Sequence, residues 1–571
     1  MIRLFETNEV RMNIELEGLW DFAIVGQGQI EDQDKEELDY KYRLSVPGCW
    51  EMHPELLTYR GRGVYRRFID LDEKAHLRFV FKGVSHTANI YWDGKQVTEH
   101  YNAYTAFSVV LLDVEPGRHE LQVFVDNSFH EHSSLHIAND YYTYGGIIRP
   151  IVMERVPDVF LERIQFTPSL MEGLEQELDI WQADVQVTIR NISSIDRAFQ
   201  LRGRLAAVEF DIGGVAVKAG EQATITSRFS CPKVKAWSVE HPELYLCKVQ
   251  LFEIGQNVPI DDLIERVGFR TISTNDSRIQ LNGADIILKG FNRHEDHPMV
   301  GTAFPLPLMV TDLDLMQDMG ANCVRTSHYP NDERFLDLCD ERGIFVWEEN
   351  HARGLSLEKM LHPKFNEQCA AVNREMVEQH VNHPSIVIWG VLNECASHTE
   401  EGRLMYKQQL EQIRSLDASR PLTFASDKRD MELCFDLVDI VSFNLYPGWY
   451  GDEDPGELCD QARGWADEAG GEGKPMIMSE FGGDGYYGHR DPSRVKGTEE
   501  RQAEIIESNL EAYSSRPYVS GMLIWQFCDC RVTEGPGFLM SRAMTQNSKG
   551  IVDRYRRPKL AYSVVKAYFT K

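Results

Sequence analysis

The sequence predicts three folded units in a row: an N-terminal jelly-roll-like β-sandwich, an immunoglobulin-like β-sandwich and a C-terminal (β/α)8 TIM barrel. Three observations carry this. Up to about residue 270, short alternating apolar and polar runs are separated by turn residues, with no helical periodicity. Beyond it, strand-like apolar runs alternate with amphipathic helical segments. At 571 residues the chain is also too long for one ordinary domain. Boundaries are expected at 1–157, 158–271 and 272–571.

In the first unit, residues 77–81, 88–92 and 119–125 read as strands, with Asp93-Gly94 and Pro116-Gly117 as turn pairs beside them. In the second, runs at 184–190, 223–229 and 244–252 continue the pattern in the manner of an immunoglobulin-like sandwich. In the third, strands are expected at 286–290, 322–326, 344–348, 386–392, 422–425, 440–445, 475–478 and 522–527. Helices between them include 306–319, 332–342, 366–382 and 498–514. Eight strand–helix units over about 300 residues have the size and rhythm of a (β/α)8 barrel.

Two of these strands end on acids. The run at 386–392 is apolar and rich in β-branched residues, as a strand buried on both faces should be, and it stops on Asn393 and Glu394. The segment PMIMSEFGGD at 475–484 repeats the arrangement and ends its strand on Glu480. In a parallel barrel both acids rise from one rim. Two carboxylates flanking one site are the equipment of glycoside hydrolysis. The bland alternative for either is a structural acid paired with an arginine.

The formal charge of −29 argues against nucleic acid or an anionic membrane as partner. No apolar run has signal-peptide or transmembrane length, so a cytoplasmic protein is expected. The eleven cysteines lie mostly inside apparent strands and helices and read as reduced core residues. Cys528 and Cys530 form a CxC without a second pair at zinc spacing, so no metal is expected. No phosphate-binding glycine fingerprint precedes a helix, so no organic cofactor is expected either.

The chain resembles glycoside hydrolase family 2 nearly from end to end. The resemblance is carried by LEGLWDF (16–22), VPGCWE (46–51), AYTAF (103–107), WSVEHPELY (237–245), GFNRHED (290–296), GANCVRTSHYP (320–330) and NHPSIVIWGVLNE (382–394). It implies that Glu394 is the general acid/base and Glu480, in SEFG, the nucleophile of a retaining double displacement. Asn393 would donate to the sugar 2-hydroxyl, and Trp525 would offer the ring a platform. In QNSKGIVDRYRRPK (546–559), Asn547 and Lys549 match the Asn-x-Lys motif by which the family's β-glucuronidases hold the sugar carboxylate. One cation and one amide donor, two residues apart, suit a planar anion. NDYYTYGGIIRP (139–150) would carry Asp140 into the sugar site, and NLYPGWY (444–450) would bring Tyr446 and Tyr450 to its wall. Arg542 is a shifted counterpart of an arginine often found before the motif. His328 would hydrogen-bond at the pocket floor, and Arg325 would support a glutamate from behind.

The resemblance implies a β-glucuronide substrate, small or oligosaccharide, no cofactor, and assembly into dimers or tetramers. It departs from the β-glucuronidase pattern at Leu445, at Pro447 and in the short stretch 350–382, which lacks the long active-site loop of some relatives. A β-galacturonide or β-galactoside substrate stays open, as does a non-catalytic carbohydrate-binding protein on the same scaffold. The bland readings stay open too. Lys549 belongs to a basic run and could be solvated. Asp140 could cap a turn. Tyr446, Tyr450, Trp525 and His328 could be satisfied core residues.

Overall fold

The computed structural model describes residues 2–26, 38–171, 180–535 and 537–570. The first unit is a sandwich of two antiparallel sheets. One runs Met12–Glu15, Ile151–Val156, Ala75–Phe81, Phe107–Val114. The other runs Tyr42–Val46, Gly18–Val25, Arg62–Leu71, Gly117–Asp126, Thr87–Trp92, Lys95–Tyr101. Strand alternation decides which side chains meet between them. Leu77, Phe79 and Phe81 point inward and are fully buried against Trp20, Phe22 and Tyr65. Asp93 and Gly94 close a two-residue hairpin with φ of 48° and 76°, the left-handed pair that a type I′ turn requires.

Among the described residues seven strands make the second sandwich. Val159–Leu170, Trp181–Asn191 and Gln222–Cys231 face a sheet ordered Val208–Val217, Arg197–Leu205, Tyr245–Glu253, Asp261–Val267. The third unit is a closed parallel barrel. Its strands are β1 (Leu288–Asn292), β2 (Cys323–Thr326), β3 (Phe345–Glu349), β4 (Ile386–Gly390), β5, β6 (Val441–Asn444), β7 (Met476–Glu480) and β8 (Val519–Ile524). β5 is interrupted at Phe424: Leu422–Thr423 pairs with β4 and Ala425–Ser426 with β6. β8 pairs with β1 and shuts the ring.

Two strands lie elsewhere than the sequence suggests. The apolar run beginning at Ala284 is shared between two sheets. Ala284–Ile286 pairs antiparallel with Arg278–Leu281, and the barrel strand starts only at Leu288. That small sheet packs Ile279 and Leu281 under Leu288, Phe345 and Val387, sealing the amino-terminal end of the barrel. β8 begins three residues earlier than expected, so Trp525 stands just past its carboxyl end.

The helices on the barrel surface include α1 (Leu306–Asp318), α2 (Glu333–Arg342), α3 (Leu357–Met360), α4 (Phe365–His380), α5 (Glu400–Leu416), α6 (Pro455–Ala466), α7 (Glu499–Ser514) and α8 (Leu560–Phe569). Side chains at their amino ends stop several of them: Asp332, Thr399, Asp454 and Thr498 each accept a backbone N–H. Among the described residues no helix is long and apolar enough to cross a membrane.

Buried ion pairs join the units. Arg11, in the lead to the first sandwich, binds Asp261 of the second (2.7 Å) and Glu154 (3.1 Å). Arg3 binds Asp337 on α2 (2.8 Å). The first sandwich also sends a loop over the barrel rim: Ser134 N donates to Gln368 Oε1 (2.9 Å) and the Tyr144 hydroxyl to Asp296 (2.8 Å). All eleven cysteines are buried and unpaired. The thiols of Cys528 and Cys530 face backbone carbonyls of Asp553 and Asp140.

Candidate active site

β4 runs out at Gly390, and the chain then turns through two left-handed residues, Leu392 (φ 51°) and Glu394 (φ 52°). Non-glycine residues seldom hold this conformation, and such strain gathers at functional sites. The Glu394 N–H donates to Ala425 O (2.9 Å), which fixes the turn, and Glu394 Oε1 accepts from Asn444 Nδ2 (2.9 Å) at the end of β6. Glu480 closes β7 and is almost completely buried. Its Oε1 accepts from Arg325 Nη1 (2.9 Å) and its Oε2 from the Tyr446 hydroxyl (2.7 Å).

Arg325, in β2, organises the floor. It is fully buried and clasps Glu349 with Nε and Nη2 (2.9 and 3.0 Å), the bidentate geometry that suits a guanidinium. Its other donors reach Asn292 Oδ1 (2.9 Å) and Asn393 Oδ1 (2.6 Å). With its carbonyl so occupied, Asn393 keeps a buried Nδ2 that finds no partner among the described residues. Asn444 donates to both Glu394 and Asn393 (3.1 Å). One continuous set of contacts therefore runs from Glu394 through Asn444, Asn393 and Arg325 to Glu480.

Burial, reinforced by the charge of Glu394 and opposed by Arg325 and Tyr446, pushes the Glu480 carboxyl up to about 8. The pair of acids thus holds a proton through neutral pH. Burial and the charge of Glu480 keep the Tyr446 phenol well above its ordinary value, so it remains a donor. Burial holds His328 well below its usual range, as a neutral imidazole. Its Nδ1 lies 2.7 Å from Glu349, and a carboxylate can only accept, so we place the proton on Nδ1. Nε2 is then a free acceptor, 3.9 Å from Glu480.

These groups open onto a cavity of about 380 Å³. Glu394, Glu480, Asn444 and Tyr446 form its inner wall, and Trp525, stacked on His328 at 5.1 Å, its base. Asp140, Arg353 and Arg542 form the side towards the first sandwich. Asp427, Arg429, Tyr450 and Glu453 stand at the mouth.

The Asn-x-Lys segment lies behind that wall. It follows a two-stranded ribbon, β9 (Cys530–Arg531) with β10 (Gln546–Asn547). Asn547 Nδ2 donates to Asp140 Oδ2 (2.9 Å), and Arg542 donates to Asp140 through Nε (2.8 Å) and Nη2. Lys549 is 1% exposed, so it is a buried cation and not a solvated one. Its ammonium is 3.2 Å from Asp484 Oδ1 and 5.2 Å from the ring centres of Trp449 and Tyr450. Lys559 holds the segment in place through Asp529 Oδ1 (2.7 Å) and Ser548 O (3.0 Å).

The structure thus brings Asp140, Glu394, Tyr446, Tyr450, Glu480, Trp525 and Arg542 to the cavity wall. It puts Asn393 and His328 beneath it and Asn547 and Lys549 behind Asp140 and Asp484. Sequence reading missed Asn444, Glu349, Asp484 and Arg353. Asn444 ends β6 as Glu394 and Glu480 follow their own strands, and Asp484 sits in the same SEFGGD segment as Glu480, so strand-end position was the available signal. Glu349 ends β3 and carried the same mark, whereas Arg353, four residues past that strand, did not.

Comparison with known proteins bears on this geometry. The model of the glycosyl hydrolases family 2 TIM barrel domain matches residues 272–571. The glycosyl hydrolases family 2 model matches 159–270, and the family 2 sugar binding domain 14–157. The beta-glucuronidase of Homo sapiens is 28% identical over 98% of this chain and 90% of its own. That of Streptococcus agalactiae is 28% identical over 96% and 95%. Among solved structures, a GH2 beta-galacturonidase from Eisenbergiella tayi bound to galacturonate superposes with a TM-score of 0.94 at 45% identity, covering 100% of this chain and 99% of that one. The beta-glucuronidase of Bifidobacterium dentium, with a TM-score of 0.87 at 23% identity over 99% and 98%, shares the fold.

Proposed function

As the chain belongs to glycoside hydrolase family 2, we propose that it is a retaining hydrolase of β-linked uronic acids. In the first step Glu480 attacks the anomeric carbon, the bond to the leaving oxygen breaks, and Glu394 gives that oxygen a proton. In the second, Glu394 takes a proton from water as the water oxygen displaces Glu480. Arg325 and Tyr446 both donate to Glu480 and so favour its anion, the form that attacks. Once Glu480 is esterified its charge is gone, and Glu394 can act as a base. The unpartnered Asn393 Nδ2 supplies a donor for a sugar hydroxyl.

The observation that supports the uronide reading is the buried ammonium of Lys549, 3.2 Å from Asp484 next to the cavity wall, on the segment that carries Asn547 and shares Asp484 with Arg542. Cations are seldom buried without a purpose, and a site built around one rejects an analogue lacking the anion by about 10⁴ or more. The epimers glucuronate and galacturonate both satisfy these donors. The 45% likeness to a beta-galacturonidase along the whole chain favours β-galacturonides, ahead of the β-glucuronides of the relatives at 28%. The test is the rate on matched aryl β-galacturonide, β-glucuronide and β-galactoside, for wild type and Lys549→Ala. Wild type should prefer a uronide and release the β-anomer first, and Lys549→Ala should lose at least 10²-fold of that preference. A faster galactoside, or an unaltered preference in the variant, would sink the reading.

A further inference from the structure

Three arginines line the cavity, and their partners differ. Arg542 is bound to Asp140 (2.8 Å) and Arg429 to Glu453 (3.1 Å). Arg353 has no comparable anion. Among the described residues no carboxylate comes closer to its guanidinium than Glu394 Oε2, at 4.0 Å. Its Nη1 donates to the neutral side chain of Asn139, and its buried Nε has no partner. The side chain is only 14% exposed, and a guanidinium this enclosed normally spends most of its five donors.

Its position is fixed as firmly as that of the acid it neighbours. Arg353 bridges to Asn393 through the backbone, and Gly354 N donates to Asn393 O (2.8 Å). The guanidinium therefore stands beside the carboxyl that, on the reading above, meets the departing oxygen. When Glu394 carries the proton it is to deliver, Arg353 faces no anion within hydrogen-bonding range. The sugar carboxylate is assigned above to the Asn547 and Lys549 segment, so the anion for Arg353 comes from the leaving part.

We propose that Arg353 binds a carboxylate on the leaving group, so that the preferred substrates are β-linked uronides whose leaving portion is itself acidic, such as a second uronic acid residue. The proposal rests on the uronidase reading above. It also answers a problem of charge: a chain of net −29 repels a doubly anionic substrate unless cations stand along the path of both carboxylates.

The experiment compares a β-linked diuronide with the same disaccharide whose leaving sugar has its carboxylate reduced to the alcohol. Wild type, Arg353→Gln and Arg353→Lys are measured as full-length chains. Wild type should favour the diuronide, and the ratio of the two kcat/KM values should fall at least tenfold in Arg353→Gln and recover largely in Arg353→Lys. The wild-type ratio should also shrink as salt is added. If Arg353→Gln slows both substrates alike and leaves the ratio intact, Arg353 serves Glu394 or the uronate and the proposal is overturned. A wild-type ratio at or below one overturns it as well. If wild type cleaves neither disaccharide but does cleave a β-galactoside, the uronidase reading itself has failed.

Discussion

Tyr446 and Arg325 each set the charge of Glu480 by one hydrogen bond, and this makes the pH profile a sensitive probe of single side chains. The acid pair keeps one proton up to about pH 8, and without that proton the leaving oxygen is not protonated. kcat/KM is therefore expected to fall on the alkaline side with a midpoint near 8. Tyr446→Phe deletes a bond that lowers the Glu480 carboxyl. Its value rises, so the alkaline limb should move upward, with a loss of about 10²- to 10³-fold in kcat at neutral pH, comparable to removing one preorganised donor. A pH–rate profile of the variant checks both; a limb that stays in place or moves down contradicts the assignment. At this scale the sequence was legible where chemistry and position coincide. Glu394, Glu480 and Tyr446 sit where strands end. Arg353 gains its place only from its contact with Asn393, a partner distant in sequence that no local pattern names.

Among the elements, the segment after β8 is anchored in part by a buried ion pair. The Lys559 ammonium is buried against Asp529, whose carboxyl burial pushes up to about 7 even with that cation beside it. Lys559→Met leaves this acid buried without its partner. A loss of about 3–5 kcal/mol is expected from breaking one side of a buried pair, read as a lower Tm. Lys549 is carried by the same segment, so KM for a uronide should rise with it. Because the Asp529 value lies above that of an unfolded carboxylate, its contribution is fully present at low pH and is lost as pH rises through about 7. The destabilisation of the variant should accordingly be larger at pH 8 than at pH 5. Element boundaries were readable where an apolar run was bounded by turn residues, as at Asp93-Gly94. They slipped at 286–290, because the apolar stretch Ile286 to Leu288 looks the same whether one sheet or two share it. Only the exposure of Ile287, at 43%, divides the hairpin strand from β1.

For the molecule as a whole, buried charges reinforce the aromatic and apolar seams between units. Arg11 contacts both sandwiches, with Asp261 and Glu154 as its acids and Leu161 O as a further acceptor. Arg11→Met strands Asp261, which burial already raises above the ordinary carboxylate range. A penalty of about 3–5 kcal/mol is expected, and calorimetry should show the sandwiches melting ahead of the barrel. A single transition at the wild-type temperature would refute that weld. The order of the three units was legible from periodicity alone, but their docking was not, because single ion pairs such as Arg3–Asp337 leave no periodic trace.

The loop that the first sandwich lays over the barrel rim has a consequence for descent. Asp140 comes from one folding unit, and Glu394 and Glu480, which we propose as the catalytic pair, from another. Mutations in a sandwich loop can alter which sugar is admitted while the residues that break the bond are inherited unchanged. A gene of this build can diversify its diet one loop at a time.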